Sequence, residues 1–190
     1  MASEKRAAQL SPEALRFLAT AEFLATRLGA EPDLEWSPAT IGVCKAFEIE
    51  VINRVIRPLA ERSRSADLSE DKKDKDLGRV AAFCADPTRK PPELGAVAHF
   101  LLTAVHSERR RETSAILRTF FLLARDWSGS QWVLDPGGLP GVISAVTAQY
   151  RNRAAHIDEL GENDYRACRQ VVAGPNGALW RLALAVEKHK

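Results

Sequence analysis

The chain lacks most of the features by which enzyme and membrane families are recognised. Its three cysteines, Cys44, Cys84 and Cys168, are odd in number, far apart and form no CxxC pair, so neither a disulfide framework nor a zinc knuckle is expected. Each lies among apolar residues and reads as a small core side chain in a reducing compartment. Long hydrophobic runs are missing too. The longest stretch, Ala96 to Val105, is broken by His99 and is too short to span a bilayer. Met1 to Leu10 is polar and charged, without the apolar stretch of a secretory signal. A cytoplasmic location without membrane contact is therefore expected. There is no GxxxxGK(S/T) loop, GxGxxG, HExxH or GxSxG, which argues against P-loop ATPases, Rossmann enzymes, common zinc proteases and α/β-hydrolases. No metal site and no cofactor are expected. Charge of one sign is not in excess either: 27 Lys and Arg against 25 Asp and Glu leave a formal +2. Nucleic-acid binding would thus need a local basic cluster.

What is present is helical. The 190 residues are 45% apolar and 27% charged, ordinary for a soluble domain with its own core. Ser11-Pro12-Glu13 is a helix start, and Leu15, Leu18, Ala19, Phe23, Leu24 and Leu28 follow at helical spacing before Gly29. Ser37-Pro38 repeats the start, predicting a helix from about Pro38 to about Arg62 with a kink or early end at Pro58. Ser63 to Asp76 reads as a solvated loop or frayed helix start. Further amphipathic stretches lie around 77–84, 94–105, 116–124, 142–150, 165–172 and 179–186, with Asn163 as a cap and Gly174 to Gly177 as a kink or break. Only Trp132-Val133-Leu134 could be a strand. The expected fold is all-α: a single bundle of about six to eight helices over 1–190, with variable helices over about 1–130 and a further group over about 139–190.

The second helix puts Ile41, Cys44, Glu48, Val51 and Val55 on one stripe. A carboxylate there needs a partner or a rim position. Glu48 therefore pairs with nearby Lys45 or Arg54, or it orients a basic residue of another helix, for which Arg151 is the candidate. Glu50 falls on a more polar face and is expected to see solvent.

In the helix opened by Pro140, the small residues Ser144, Thr147, Ala148 and Ala154 or Ala155 share a face with Arg151. Such a face suits close helix contact, and a guanidinium at its end presents a planar donor fork along a groove. His156 is five positions on. In a straight helix the two would point about 140° apart. Either the helix ends near Ala154 or Ala155 and His156 turns back from the loop 157–162, or two copies of the chain face each other.

Tyr150-Arg151-Asn152-Arg153-Ala154-Ala155-His156 resembles the active-site motif of the HEPN superfamily (higher eukaryotes and prokaryotes nucleotide-binding). That superfamily consists of helical bundles carrying Arg, four to six residues, then His, with a polar residue, often Asn, after the Arg. The resemblance is specific over about Val142 to Leu184 and is one of fold class elsewhere. It implies a metal-independent endoribonuclease that leaves a 2′,3′-cyclic phosphate, usually in a toxin or antiphage-defence setting. His156 would be the general acid/base, since imidazole titrates near pH 6.5. Arg151 would stabilise the phosphate, and Asn152 would position the phosphate or His156. Arg153 would add a phosphate contact or be a helix-end surface residue, with Glu48 in support. RNA as substrate, a homodimer with both motifs lining one cleft, and a neutralising or effector protein are implied as partners. Other readings stay open: a non-catalytic HEPN-like module for nucleotide, RNA or protein binding, an unrelated helical adaptor, and a His156 that merely caps its helix. Some HEPN toxins carry a Tyr two residues after the His. Here Asp158 stands there, so modification of that Tyr is not implied. Asp158 and Glu159 also place negative charge beside His156, which opposes phosphate.

The densest basic cluster, Arg109-Arg110-Arg111, reads as an RNA track with Arg118 and Arg125 or as a solvated helix start with Glu108 and Glu112. Trp127, Trp132 and Trp180 read as core before base-stacking platforms, His99 as a core or interface residue, and His106 as exposed.

Overall fold

The computed structural model describes residues 9–31, 34–156 and 159–187, and among these every regular element is helical. In chain order they are α1 (Pro12–Leu28), α2 (Ser37–Val51), a π turn (Ile52–Ile56), α3 (Arg57–Arg62), a 3-10 turn (Asp71–Lys73), α4 (Gly78–Ala85), α5 (Leu94–His106), α6 (Glu108–Thr113), α7 (Ala115–Arg125), α8 (Ser130–Leu134), α9 (Leu139–Val146), a second π turn (Thr147–Arg151), α10 (Asn152–Ala155), α11 (Glu162–Ala173) and α12 (Ala178–Ala185). No helix among the described residues is long and apolar enough to cross a membrane.

Serine caps explain three of the starts. The hydroxyls of Ser11, Ser107 and Ser114 accept backbone N–H groups at the entries of α1, α6 and α7. Two starts differ from the sequence expectation. Ser37 lies inside α2, and Glu35 Oε1 accepts its N–H at 3.0 Å. At α11 the cap position is Gly161 rather than Asn163, and Asp164 Oδ2 reaches back to the Gly161 N–H at 3.1 Å. The one segment that could have been a strand, Trp132-Val133-Leu134, belongs to α8. Three apolar residues carry too little periodicity to separate helix from strand. The interruption at Gly174 to Gly177 is a true break.

The chain divides into two compact units, each built from two separated stretches: residues up to Glu50 with Ala145–Ala183, and Val51–Ser144 with the residues from Leu184 onward. In the first unit α1 lies close to α2. A Cβ on Gly42 would stand 3.0 Å from Ala21 Cβ and 3.3 Å from the Phe17 carbonyl, so glycine is what lets the two backbones approach. The buried positions of α1 are accordingly Ala14, Ala21 and Leu28, and Phe23, expected in the core, is 59% exposed. Cys44 and Cys168 meet with their sulfurs 3.8 Å apart, both buried as expected. Trp36 and Tyr165 stack at 5.4 Å, and Arg169 pairs with Glu22. Glu50 is not at the solvent: it is 1% exposed and accepts the Ser11 N–H at 2.7 Å. A helix-entry donor of α1 is thus satisfied by a buried carboxylate.

In the second unit Phe100, Phe120 and Trp127 form an edge-to-face series at 5.4 and 6.4 Å. The polar stretch before α4 is held from outside itself. Buried Asp71 accepts the Ile116 N–H at 2.9 Å, and Arg110 donates to Asp74 at 2.5 Å and Asp76 at 3.0 Å. Arg111 donates to the carbonyls of Ala104 (2.7 Å) and Val105 (3.2 Å) and lies 4.9 Å over the Phe121 ring. Two guanidiniums of the densest basic cluster are therefore tied into this unit rather than paired with Glu108 and Glu112 or arrayed as a track. His99 is exposed, because the buried positions of α5 (Leu94, Val97, Ala98, Phe100, Leu101, Ala104) leave it outside. The helix does not stop at Pro58. Proline lacks an N–H, and its ring crowds the carbonyl four residues back. The π turn carries the chain past it, with the Arg57 N–H bonded to the Ile52 carbonyl.

Candidate active site

The motif lies at a distorted helix end in the first unit. After α9 the chain enters the π turn Thr147–Arg151, where the Asn152 N–H bonds to the Thr147 carbonyl, five residues back. One residue more than usual fits into this turn, so the small-residue face expected from four-residue spacing is broken. Thr147 and Ala154 are buried, whereas Ala148 is exposed. Tyr150 is 9% exposed and Arg151 half-buried. Burial raises the Tyr150 phenol above its ordinary value; Cys168, Asp164 and Cys44 act the same way and Arg153 opposes them.

α10 ends at Ala155, and His156 follows in extended backbone (φ −117°, ψ −153°) with its N–H on the Arg153 carbonyl at 3.1 Å. Its residue is exposed. The straight-helix separation of Arg and His therefore does not apply, because His156 has left the helix. Ile157 and Asp158, the latter at the position of the modified Tyr, lie outside the described residues.

The sequence-derived site residues fall into three contacts. Arg151 Nη1 donates to Asn152 Oδ1 at 3.3 Å, so Asn152 sits against the guanidinium itself. Arg153 Nη1 donates to Asp164 Oδ1 at 3.0 Å and to the Gln149 carbonyl at 3.5 Å, the behaviour of a helix-end arginine that ties two helices together. Glu48, 9% exposed, takes Lys45 Nζ at 2.5 Å, which is the rim pair of the simpler expectation. Asp164 was not singled out from the sequence. The available signal was a carboxylate three residues into a helix that starts at a glycine.

Beyond the motif the same unit holds a cavity of about 460 Å³ lined by Leu28, Leu34, Trp36 and Leu160, with Glu35, Glu159 and Glu162 among its walls. Glu162 is engaged by Arg166 at 2.8 and 2.5 Å; Glu159 is exposed. This wall is acidic, and its Glu159 lies close in sequence to His156.

Comparison with protein-family models, with curated proteins and with solved structures gives no match for this chain. The functional reading therefore rests on the motif, the all-helical fold and the local geometry.

Proposed function

We propose that this chain is a HEPN-like, metal-independent endoribonuclease that acts as a homodimer in a toxin or antiphage-defence setting. The observation that supports this reading is the form of the helix end. A π turn closes on half-buried Arg151, and the helix stops at Ala155 so that His156 stands exposed in extended backbone. π turns inside α-helices are frequent at functional sites.

In this reading His156 takes the proton of a ribose 2′-hydroxyl. The 2′-oxygen attacks the adjacent phosphorus, the bond from phosphorus to the 5′-oxygen breaks, and that oxygen leaves and is protonated. The products are a 2′,3′-cyclic phosphate and a 5′-hydroxyl. Arg151 donates its fork to the non-bridging oxygens as phosphorus becomes five-coordinate. Asn152, accepting from Arg151, fixes the plane of that fork. Arg153, held by Asp164, shapes the turn rather than touching phosphate.

A second reading is a non-catalytic helical module for nucleotide, RNA or protein binding; the acidic wall of Glu35, Glu159 and Glu162, which repels phosphate, counts against cleavage and favours the protein-binding form. Purified protein incubated with RNA in EDTA separates the two. Under the nuclease reading cyclic-phosphate ends accumulate, and Arg151→Ala and His156→Ala each abolish them with thermal unfolding unchanged. Cleavage that persists in both variants removes the site assignment. Binding without cleavage by the native chain favours the module.

A further inference from the structure

One carboxylate bonds to Arg153 and to Gly161, on either side of His156 in the chain. The His156 N–H donates to the Arg153 carbonyl at 3.1 Å, and Arg153 Nη1 donates to Asp164 Oδ1 at 3.0 Å. The other oxygen, Asp164 Oδ2, accepts the Gly161 N–H at 3.1 Å, and the Gly161 carbonyl accepts the Tyr165 N–H at 3.2 Å. The residue that anchors His156 on one side and the residue where the chain re-enters a helix on the other are thus joined through the two oxygens of one side chain. That side chain stands on a fixed base, because neighbouring Tyr165 is 4% exposed and stacks on Trp36 at 5.4 Å.

From this geometry we infer that Asp164 is a positioning residue for His156. The energy of the Arg153–Asp164 pair is not the point. With side-chain exposures of 39% and 32%, such a pair contributes about 1 kcal/mol or less to stability. Its effect is on placement. An imidazole that must reach a particular proton loses on the order of a hundredfold in rate for a displacement of about 1 Å, and this carboxylate ties the helix that ends before His156 to the helix that begins at Glu162. The two oxygens have separable tasks. The bond to Gly161 needs only an acceptor, which asparagine also offers. The bond to Arg153 is charge-assisted and needs the carboxylate.

The kinetic consequence rests on the nuclease reading; the placement itself does not. The test therefore pairs backbone amide exchange by NMR, read at His156 and Gly161, with kcat and KM on a short RNA in EDTA. In Asp164→Ala both amides are expected to exchange about two- to fivefold faster and kcat to fall about ten- to a hundredfold with KM held within about twofold. In Asp164→Asn the Gly161 amide stays protected while that of His156 speeds up, and Arg153→Ala gives the same pattern. The reversed pair, Arg153→Asp with Asp164→Arg, leaves Gly161 exchanging fast because arginine offers no acceptor. Unchanged exchange at His156 in both Asp164→Asn and Arg153→Ala overturns the inference, and these two variants decide it even if Asp164→Ala does not fold. Faster exchange with native kcat also overturns the positioning role. A native chain that does not cleave RNA removes the nuclease reading, and the amide pattern still decides the clamp.

Discussion

The two π turns of this protein share a geometry but not a cause. At Ile52–Ile56 the reason is local: Pro58 follows, cannot donate a hydrogen bond and crowds the carbonyl four residues back. The extra residue in the turn lets a helix with buried Ile52, Val55, Ile56 and Leu59 continue on the same face. At Thr147–Arg151 no proline follows until Pro175, and nothing in the local sequence requires the distortion. What it achieves is tertiary. It buries Thr147 and Tyr150, turns Ala148 outward and leaves Arg151 half-buried four residues before the helix ends. A π turn that local chemistry explains is a repair, and one it does not explain marks a place where position matters more than regularity.

Removing the extra residue tests that contrast. Deleting Asn53 forces the helix past Pro58 in α geometry and is expected to cost about 3 kcal/mol or more in urea unfolding. A cost near zero would show that the proline is not what the first π turn accommodates. Packing in the first unit away from the motif gives the next scale. Gly42→Val drives a side chain into Ala21 and the Phe17 carbonyl and is expected to destabilise by about 1–3 kcal/mol without altering the kcat/KM that remains in folded protein. Deleting Ala148, exposed and followed by no proline, should cost only about 1 kcal/mol yet lower kcat at least about tenfold. Equal stability losses for the two deletions, or native kcat after the second, would erase the distinction between the turns.

The smallest effect belongs to the charges of the second unit. Burial alone would raise the Asp74 carboxyl, but the N–H groups of Asp76 and Leu77 and the Arg110 guanidinium outweigh it and hold it below the ordinary value of 3.8. A depressed carboxyl contributes stability that is present above its unfolded pKa and is lost as pH falls through the folded one. Asp74→Asn should therefore flatten part of the stability loss below about pH 4. Because Asp74 and Arg110 are about a third exposed, the change should stay at about 1 kcal/mol or less. The check is urea unfolding from pH 2 to 7; a slope identical to that of the native chain would contradict it.

The helices were legible because their signals are local. Ser11-Pro12 and the apolar periodicity of α5 and α7 need no partner to be read. The errors arose where a distant group decides the outcome. Glu50 looked solvent-facing because its partner, the Ser11 N–H, is 39 residues away. Phe23 shares the helical spacing of the apolar residues of α1, yet the buried positions there are Ala14, Ala21 and Leu28 and Phe23 is exposed. Arg110 and Arg111 read as a track or as a solvated helix start because Asp74, Asp76 and Phe121 are not adjacent in the chain. At the motif, spacing and residue type single out Arg151, Asn152 and His156 as candidates, and an end to the helix near Ala154 or Ala155 is one of two arrangements the sequence allows. The π turn and Asp164 could not be chosen, since both depend on what α11 brings up to the helix end.

The central claim is that Arg151 and His156 act on one phosphodiester, and a double-mutant cycle on single-turnover RNA cleavage in EDTA measures it most directly. Groups that serve one transition state lose their contributions together. The account predicts that Arg151→Ala and His156→Ala each reduce the rate by about two to four orders of magnitude and that the double variant is hardly slower than the worse single one. Losses that multiply in the double variant would mean that the guanidinium and the imidazole work on separate events, and the proposed site would not stand.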